Sequence, residues 1–561
     1  MSVSFADDQQ ERLEAIRRKE EEDLVVILSE KYGIGHADLR RVVVDANALK
    51  LIKEKDARAA EVAPYALQQK KVSVAIRTPN APNTKRVLEE LKNAGYVPTP
   101  VMVSRASLDR AWEHYKDISL ASQTEAGVLD ISGDEILSLQ AKLISLAATR
   151  SAIDEVSGVG TDHAHNTSRI LEAIMAGAMA NNASDIHIEP EDEDVKIRFR
   201  IDGVLTPISS LSHEAYKPLL TRVKLVSGLK INIKSSAQDG RFSVVLGEKE
   251  IEIRTSILPG NYGESIVTRL LDPSTIGLPL EDLGIHPTLL EVFKREIARP
   301  NGMILNTGPT GSGKTTSLYA FLKKVHKPGI KILTIEDPIE YHVDGIVQTQ
   351  VNHKDYTFAS GLRSALRQDP DIIMVGEIRD REVSETAVHA ALTGHLVFST
   401  LHTNNAAGAF PRLVDIGVDP GILGSAVNMV MAQRLLRRLI PEKRKEVKIE
   451  GKDREFVDKI LDGIKNRDLI PDNTDTMWVP DVPEGEVEYK GRIAVYETIL
   501  STREIEEAVR KRLSIRELGD VAHEQGFTTL HEDGILKVLE GVSTLDEVRR
   551  VLGEDVDTSE L

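Results

Sequence analysis

The sequence Gly-Pro-Thr-Gly-Ser-Gly-Lys-Thr at residues 308–315 constrains the fold of this chain more than any other feature. It matches the pattern GxxxxGK[ST], in which glycines let backbone N–H groups converge on phosphate oxygens at a helix N-terminus. The apolar run 303–305 before it predicts a buried strand. After it, Leu318, Leu322 and Val325 have the spacing of the buried face of a helix. A strand, a phosphate loop and a helix in this order predict an α/β domain with a parallel sheet.

The loop and the first turn of its helix form the predicted nucleotide-binding site. In such loops the lysine, here Lys314, reaches the β- and γ-phosphates, and the hydroxyl of the next residue, Thr315, holds Mg²⁺. ATP and Mg²⁺ are therefore the expected cofactors. A glycine-rich turn that contains a lysine by chance would lack the strand and the helix on either side. The expected binding residues are Gly308, Pro309, Thr310, Gly311, Ser312, Gly313, Lys314, Thr315 and Thr316.

Three polar clusters each follow a short apolar run of strand length. Glu336 and Glu340 come after the first run. Glu377 comes after the second and His402 after the third. If the strands are parallel, their carboxyl ends gather these side chains and the phosphate loop at one edge of the sheet, where open α/β folds bind ligands. The three runs are 331–335, 372–375 and 396–401.

Cleavage of a bound nucleotide needs a group that holds the cation and a carboxylate that orients or deprotonates water. Glu377 and Glu340 are the candidates for these two roles. A carboxylate at a strand end more often lies in water or caps a helix, and a lone histidine is more often structural. Next to a phosphate loop the functional interpretation is favoured for both glutamates. It is also favoured for His402 and for His395, which precedes the third run.

Composition excludes several other functions. Lys and Arg number 71 against 88 Asp and Glu, and the net charge of −17 disfavours nucleic acid as the main partner. The chain has no cysteine, which excludes disulfides, thiolate zinc sites, iron–sulfur clusters and cysteine nucleophiles. No apolar run is long enough to span a bilayer, and residues 1–23 are too charged for a secretory signal. We therefore expect a cytoplasmic protein.

The pattern along the chain predicts several domains. We expect strands with period-two alternation at 186–188, 195–200 and 251–254, which together indicate an antiparallel sheet with helices packed on it. In an earlier part, a strand at 71–76 and a helix at 84–94 indicate a small α/β module. The predicted parts are a charged tail at 1–22, the α/β module at 23–116, a helix and linker at 117–160, an α+β domain at 161–280 and the phosphate-loop domain at 281–561.

Three arginines of the predicted antiparallel sheet have no assigned role from the residues alone. Arg241 follows Gln-Asp-Gly, Arg254 ends an alternating strand, and Arg269 lies within Ile-Val-Thr-Arg-Leu-Leu. On this pattern they are surface arginines on the polar face of the sheet.

Taken together, these segments resemble the secretion and type IV pilus assembly ATPases, a family that contains type II secretion motors and pilus extension motors. The resemblance covers about residues 160–545, and its order of motifs is highly specific. The motifs are the phosphate loop, an Asp box at 334–341, a Walker B region at 366–380, a His box at 393–404, and the segments 183–190, 238–242 and 489–497.

The resemblance implies a RecA-like P-loop motor domain with a helical C-terminal extension, preceded by a PAS-like α+β domain and a small N-terminal α/β domain. It implies an ATP hydrolase in which Arg241 and Arg254, with Arg269 behind them, stabilise charge on the phosphates. Glu340 is then the general base, and Glu377 acts on Mg²⁺ or on its water. Glu336, His395 and His402 complete the expected catalytic set.

The same resemblance implies partners and a location. Such motors are homo-hexamers that act on an inner-membrane platform protein, so this chain is expected at the inner face of the cell membrane as a peripheral protein. Retraction motors lack the extra N-terminal domain, so residues 23–116 favour assembly of a pilus or of a secretion pseudopilus. The sequence leaves these two open. A nucleic-acid motor and a nucleotide-gated scaffold are the alternatives from other classes.

One segment departs from the family pattern. Many members carry a four-cysteine zinc module at a position that corresponds to 440–488, and this segment has no cysteine, so no zinc is expected. The segment either folds without metal or is a loop. Its basic run, Lys443, Arg444 and Lys445, is interpreted as a solvated surface rather than as a patch for lipid or platform contacts.

Overall fold

The computed structural model describes residues 21–554, apart from 40–41, 43, 50, 69, 113–114, 116–132, 159–162, 247–248, 272–276, 353 and 484–486. The described chain forms two compact units, the first of which ends at Leu271. Most of the predicted charged tail lies outside the described residues, and residues 21–32 are helical.

The N-terminal part of the first unit contains a three-stranded sheet. The predicted strand at 71–76 is β2 (Lys71–Ile76), which pairs antiparallel with β1 (Val62–Gln68) and parallel with β3 (Val97–Met102). The predicted helix at 84–94 runs from Pro82 to Asn93, because proline is well accommodated in a first helical turn. The helices of this part are residues 21–32, Ala46–Leu49, Glu54–Ala59, Pro82–Asn93 and residues 105–112.

The remainder of the first unit is a six-stranded antiparallel sheet in the order β6-β5-β4-β9-β8-β7. Alternating side chains point into the core, as the period-two pattern predicts. The strands are β4 (Ala183–Pro190), β5 (Val195–Ile201), β6 (Val204–Leu211), β7 (Gln238–Leu246), β8 (Lys249–Gly260) and β9 (Gly263–Leu271). The helices are Gly133–Gln140, Leu146–Gly158, His163–Ala180 and His213–Val226.

Residues 133–158, which the sequence assigns to a connecting helix and linker, form two helices that pack in the core of this sheet domain. Ile136, Leu143 and Ile153 are buried in the same cluster as Ile174 of the long helix. The Ser-, Ala- and Asp-rich composition suggested a linker, but these apolar side chains fall on buried helix faces. This packing favours an earlier start for the second domain, and the other domain bounds stay predictions.

The second unit is organised by a seven-stranded sheet in the order β12-β11-β13-β14-β10-β15-β18. All neighbours are parallel except β15 and β18. The central order β15-β10-β14-β13-β11 is the 5-1-4-3-2 order of RecA-like domains. The strands are β10 (Gly302–Thr307), β11 (Ile332–Glu336), β12 (Val347–Gln350), β13 (Ile372–Val375), β14 (Leu396–Leu401), β15 (Val427–Leu439) and β18 (Tyr489–Leu500).

Two apolar layers cover this sheet. On one face, Phe293, Phe321 and Tyr496 pack against one another, with Phe293 edge-on to both other rings at 5.8 Å. On the other face, Ala387 and Val388 pack over Leu305 and Val397. The helices around the sheet are Pro287–Ile297, Lys314–Val325, Phe358–Leu366, Arg381–Leu392, Ala409–Asp415 and Pro420–Ala426, with a 3₁₀ turn at Leu280–Asp282.

Residues 440–488 fold, apart from 484–486, which lie outside the described residues. β16 (Arg444–Lys448) and β17 (Thr476–Pro480) pair antiparallel. Helix Gly451–Gly463 buries Val457 and Ile460 in the main core of the unit. Apolar packing is thus what holds this segment to the domain. Two short 3₁₀ turns, Pro441–Lys443 and Arg467–Leu469, complete the segment.

The prediction of a solvated basic run is wrong for Arg444. Its guanidinium lies 4.4 Å from the centroid of the Trp478 ring and donates to the carbonyl of Gly541. Lys445 is exposed and pairs with Asp481 at 3.1 Å. Within the run, Arg444 therefore anchors the segment, whereas Lys445 is solvated. The sequence pattern alone does not show this difference.

The chain after the sheet forms four helices, and one of them, Leu530–Leu539, packs against β18. Asp533 accepts a hydrogen bond from the Tyr496 N–H at 2.8 Å, and Gln525 accepts one from the Leu500 N–H at 3.0 Å. None of the helices in the described part of the chain is both long and apolar enough to cross a membrane. The helices are Arg503–Arg510, Ile515–His523, Leu530–Leu539 and Leu545–Leu552.

The pair of His523 and Glu532 makes the stability of this helical region depend on pH. The hydrogen bond from His523 Nε2 to Glu532 is 3.0 Å long and raises the pKa of His523. A raised folded-state pKa gives stability that is complete below the unfolded pKa of about 6.5 and is lost as pH rises through the folded pKa. His523→Gln is therefore expected to lower the melting temperature by a few degrees at about pH 6 and by less at about pH 8.5.

Thermal unfolding at both pH values checks this expectation, with His389→Gln on an exposed helix position as the matched control. A melting-temperature difference for His523→Gln that is the same at both pH values would contradict it.

Candidate functional site

The phosphate loop lies directly against β15. Gly308 and Gly313 have φ angles of 149° and 88°, which favour glycine. A Cβ on Gly308 would lie 2.6 Å from the carbonyl oxygen of Gln433, and one on Gly313 would lie 2.7 Å from its Nε2. Both glycines are therefore needed for backbone conformation and for close approach.

Gln433 joins both ends of the loop. Its Oε1 accepts hydrogen bonds from Asn306 Nδ2 at 2.8 Å and from Ser317 Oγ at 2.9 Å. Asn306 belongs to β10 before the loop, and Ser317 belongs to the helix Lys314–Val325 after it. One buried side chain of β15 thus fixes the strand and the helix between which the loop is suspended.

Lys314 lies over the start of the loop. It is only 9% exposed, and its Nζ donates to the carbonyl oxygens of Gly308 at 2.7 Å and Pro309 at 2.9 Å. Burial lowers the pKa of Lys314 to about 8; the positive charge of Arg434 acts in the same direction, and Glu377 opposes it. A buried ammonium group held by neutral carbonyls suits an anion at the loop.

The residues of the loop fit a polyphosphate and its cation. The hydroxyl of Ser312 is buried and has no hydrogen-bond partner among the described residues, so it has unused capacity inside the loop. Thr315 is exposed in the first turn of the helix, where its hydroxyl is open to a cation. Together with the glycines and Lys314, these observations support binding of a nucleoside polyphosphate with Mg²⁺.

Glu377 and His402 meet beside the loop, as the parallel sheet predicts. Glu377 follows β13, and its carboxylate lies 2.5 Å from Arg379 Nη2 and 3.6 Å from His402 Nε2. Burial lowers the pKa of His402; the positive charge of Lys314 acts in the same direction, whereas Glu377 opposes it. Three cationic or protonatable groups thus surround one carboxylate at the carboxyl edge of the sheet.

Glu336 is buried rather than open to a substrate. It accepts hydrogen bonds from Thr334 Oγ1 at 2.5 Å, from Gln348 Nε2 at 3.3 Å and from the hydroxyl of Tyr319. Burial raises the pKa of Glu336, and the negative charge of nearby Glu340 acts in the same direction. Glu340 itself is partly exposed in the loop after β11. Glu336 is therefore placed to hold this loop, while Glu340 is the more accessible of the two carboxylates.

His395 lies at the opposite edge of the sheet from His402. Its Nδ1 is 3.1 Å from the carbonyl oxygen of Ala390, and its own carbonyl accepts from the Gly302 N–H at 3.2 Å. The six residues of β14 lie between the two histidines, so seven residue steps of extended chain, roughly 23 Å, separate them. The structure thus does not bring His395 together with the phosphate loop, and its contacts give it a structural role at the amino end of β14.

In the first unit, the three predicted arginines form one row across the antiparallel sheet. Arg241 lies opposite Arg254 on the next strand, and Arg254 lies opposite Arg269. Arg269 pairs with the buried Asp185 at 2.9 Å, and the Arg254 guanidinium lies 3.4 Å from Glu252. Like charges directly opposite one another destabilise a sheet. Three neighbouring arginines on one face therefore suit a surface that meets an anion.

Sequence reasoning did not assign roles to Gln433, Arg434 or Glu497. Gln433 supports the loop, Arg434 lies against Gly308, and Glu497 accepts from the Ala406 N–H at 2.7 Å. A signal was present in the sequence, because the polar pair Gln433 and Arg434 directly follows the mostly apolar run 427–432. Their pairing with the loop arises only when β15 joins β10 in the folded sheet.

Comparisons with known proteins extend over most of the chain. Residues 161–550 match the family model of the type II/IV secretion system protein, and residues 32–122 match that of the MshEN domain. The putative type II secretion system protein E of Escherichia coli strain K12 is 38% identical over 477 residues, which cover 84% of this chain and 93% of that protein. The type II secretion system protein E of Aeromonas hydrophila is 43% identical over 394 residues, 69% of this chain and 76% of that protein. The type IV pilus assembly ATPase PilB of Myxococcus xanthus is 36% identical over 537 residues, 94% of this chain and 91% of that protein.

Proposed function

This chain belongs to the type II/IV secretion system protein family, and from that premise we propose that it is the hexameric motor of a pilus or secretion machine. Family membership confirms the predicted resemblance, the RecA-like fold class and the predicted kind of enzyme, an ATP hydrolase. The observation that carries the proposal is the sheet edge at which the phosphate loop meets Glu377 and His402.

The proposed work is the extension of a fibre of pilin-like subunits through a platform protein in the inner membrane. Relatives named for type II secretion and for type IV pilus assembly both match, so the proposal names the task these systems share. The N-terminal α/β module at 23–116 supports assembly or secretion over retraction. We place the motor in the cytoplasm as a peripheral protein at the inner face of the cell membrane.

The phosphate loop binds ATP in this account. The backbone N–H groups of 310–313 and the ammonium of Lys314 hold the phosphates, and the hydroxyl of Thr315 with Glu377 holds the cation or its water. Mg²⁺, when bound, neutralises charge that develops on the phosphates. It is the only metal that the proposal requires.

The two carboxylates take different roles. Glu377 lies among Arg379, His402 and Lys314. Positive groups favour the negatively charged form of a carboxylate, and that form is the one that can orient Mg²⁺ and its water. Glu340 lies in the loop after β11 and is partly exposed, so it is the proposed general base for the attacking water. Glu336 holds that loop through Tyr319 and Gln348, which makes it a positioning residue.

The arginine row of the first unit is proposed to stabilise charge on the phosphates during hydrolysis. Arg241, Arg254 and Arg269 share one face, and their mutual repulsion is relieved when an anion approaches. Arg241 and Arg254 are the foremost candidates, with Arg269, which pairs with Asp185 at 2.9 Å, behind them. Cationic groups aimed at a transferring phosphoryl group lower the barrier by electrostatic stabilisation.

The first test separates nucleotide binding from hydrolysis. Lys314→Ala is expected to abolish ADP and ATP binding, because it removes the cation of the phosphate loop. Glu340→Gln is expected to retain binding within a few-fold and to lose about 10²–10⁴-fold in turnover, because it removes the base but keeps the shape. Isothermal titration with ADP and a steady-state phosphate-release assay with Mg²⁺ and ATP measure the two effects.

Glu291→Gln is the matched control, since it changes an exposed carboxylate on the helix Pro287–Ile297, which has no role in the proposed site. Full turnover of Glu340→Gln would exclude this residue as the base. Strong stimulation of wild-type turnover by single- or double-stranded DNA would instead favour a nucleic-acid motor. Binding of ATP with no turnover in any assembled state would favour a nucleotide-gated scaffold.

The second test concerns the arginine row. Arg254→Ala is expected to lower kcat about 10²- to 10³-fold with a smaller effect on ADP binding, because its charge acts as negative charge develops on the leaving phosphates. Arg198→Ala is the matched control, since Arg198 lies on β5 of the same sheet and pairs with Glu189. Unchanged turnover of Arg254→Ala alongside an unchanged Arg198→Ala would refute a role for the row in hydrolysis.

A further inference from the structure

Arg434 bridges the phosphate loop and the loop that follows β14. It is the residue after Gln433 on β15, and its Nη1 donates to the Gln433 carbonyl at 3.0 Å. Its Nη2 donates to the carbonyl of Asn404 at 2.6 Å. The Nη1 atom also lies 2.9 Å from the position that a Cβ on Gly308 would occupy. The guanidinium therefore lies against the first glycine of the loop.

The hydrogen-bond partners of this guanidinium are neutral. Both are backbone carbonyls, whereas the carboxylate whose charge reaches it, Glu497, accepts a hydrogen bond from the Ala406 N–H at 2.7 Å. Burial lowers the pKa of Arg434, so its charge is held there against a desolvation cost. The charge is also close enough to Lys314 for the two cations to repel one another.

Two partly desolvated cations at one phosphate loop are unfavourable until an anion arrives. A polyphosphate brings two or more negative charges to this place, and a guanidinium–phosphate pair adds an attraction between opposite charges that a guanidinium–carbonyl hydrogen bond lacks. When the phosphates bind, the guanidinium exchanges its hydrogen bonds to the two carbonyls for stronger hydrogen bonds to phosphate oxygens. The same arginine holds Asn404, two residues beyond His402, so it also ties the His402 loop to the phosphates.

We infer that Arg434 is a phosphate-binding residue that supplies, from the same chain as the loop, a second positive charge beside Lys314 for the phosphates of ATP. The inference rests on the proposed function, because it requires the loop to bind a nucleotide. Arg434 belongs to the motor domain itself, so its charge on the phosphates would be additional to the charges of the arginine row of the first unit.

The test measures how nucleotide affinity depends on the number of phosphates. Full-length wild type, Arg434→Gln and Arg434→Lys are titrated with a fluorescent ADP analogue, and ADP and AMP compete for the site. Arg434→Gln is expected to weaken ADP binding about 10- to 100-fold and AMP binding by less, because the missing charge acts on the added phosphate. Arg434→Lys keeps the charge and is expected to restore most of the ADP affinity.

Arg438→Gln is the matched control, since Arg438 is exposed on the same strand. Equal losses of ADP and AMP affinity in Arg434→Gln would assign the residue a structural role only and overturn the inference. If Arg434→Gln does not fold, Arg434→Lys decides alone: ADP affinity near that of wild type supports the inference, and loss of ADP binding overturns it. No ADP binding by wild type would contradict the proposed function itself, whereas wild-type binding with unchanged Arg434→Gln would contradict only this inference.

Discussion

The contact between β15 and the phosphate loop is the constraint on which the rest of the site depends. Gln433 is buried, and its amide joins Asn306 of β10 to Ser317 of the following helix. The loop between these two elements approaches β15 so closely that only glycine fits at Gly308 and Gly313. A loop held at both ends keeps its backbone N–H groups directed at one place before a ligand arrives, which is the preorganisation that anion binding and catalysis require.

From this fixed point the electrostatics of the site follow. Lys314 lies over the loop, Arg434 lies beside it, and the charge of Glu377 partly offsets that of Lys314. His402 lies 3.6 Å from Glu377 and feels the charge of Lys314, so its environment changes with whatever occupies the loop. The site thus combines excess positive charge at the loop with one carboxylate beside it, which is the combination that the proposed phosphoryl transfer requires.

Much of this arrangement was predictable from sequence because it rests on local patterns. The strands at 372–375 and 396–401 lie where their apolar runs predict, since a buried parallel strand is a short continuous run. The gathering of Glu377 and His402 followed from the rule on carboxyl edges. The same rule excludes His395, because a residue before a strand lies at the other edge.

The remaining features depend on contacts between distant parts of the chain. Glu336 and Glu340 belong to one acidic cluster, and only packing against Tyr319 separates a buried carboxylate from an accessible one. By composition, residues 133–158 resemble a linker. In the structure their few apolar side chains pack in the core of the second domain. Arg434 reaches the phosphate loop only because β15 pairs with β10, which lies about 130 residues away along the chain.

We propose that this phosphate loop hydrolyses ATP as part of an assembled ring. The steady-state rate of ATP hydrolysis with Mg²⁺, measured over a range of protein concentrations for wild type and for mixtures with Lys314→Ala chains, tests this proposal. We expect the activity per wild-type chain to rise with concentration as the assembled mass appears, and added Lys314→Ala chains to reduce it. Activity per chain that is independent of concentration and of the added variant, from protein of monomer mass, would contradict the proposal.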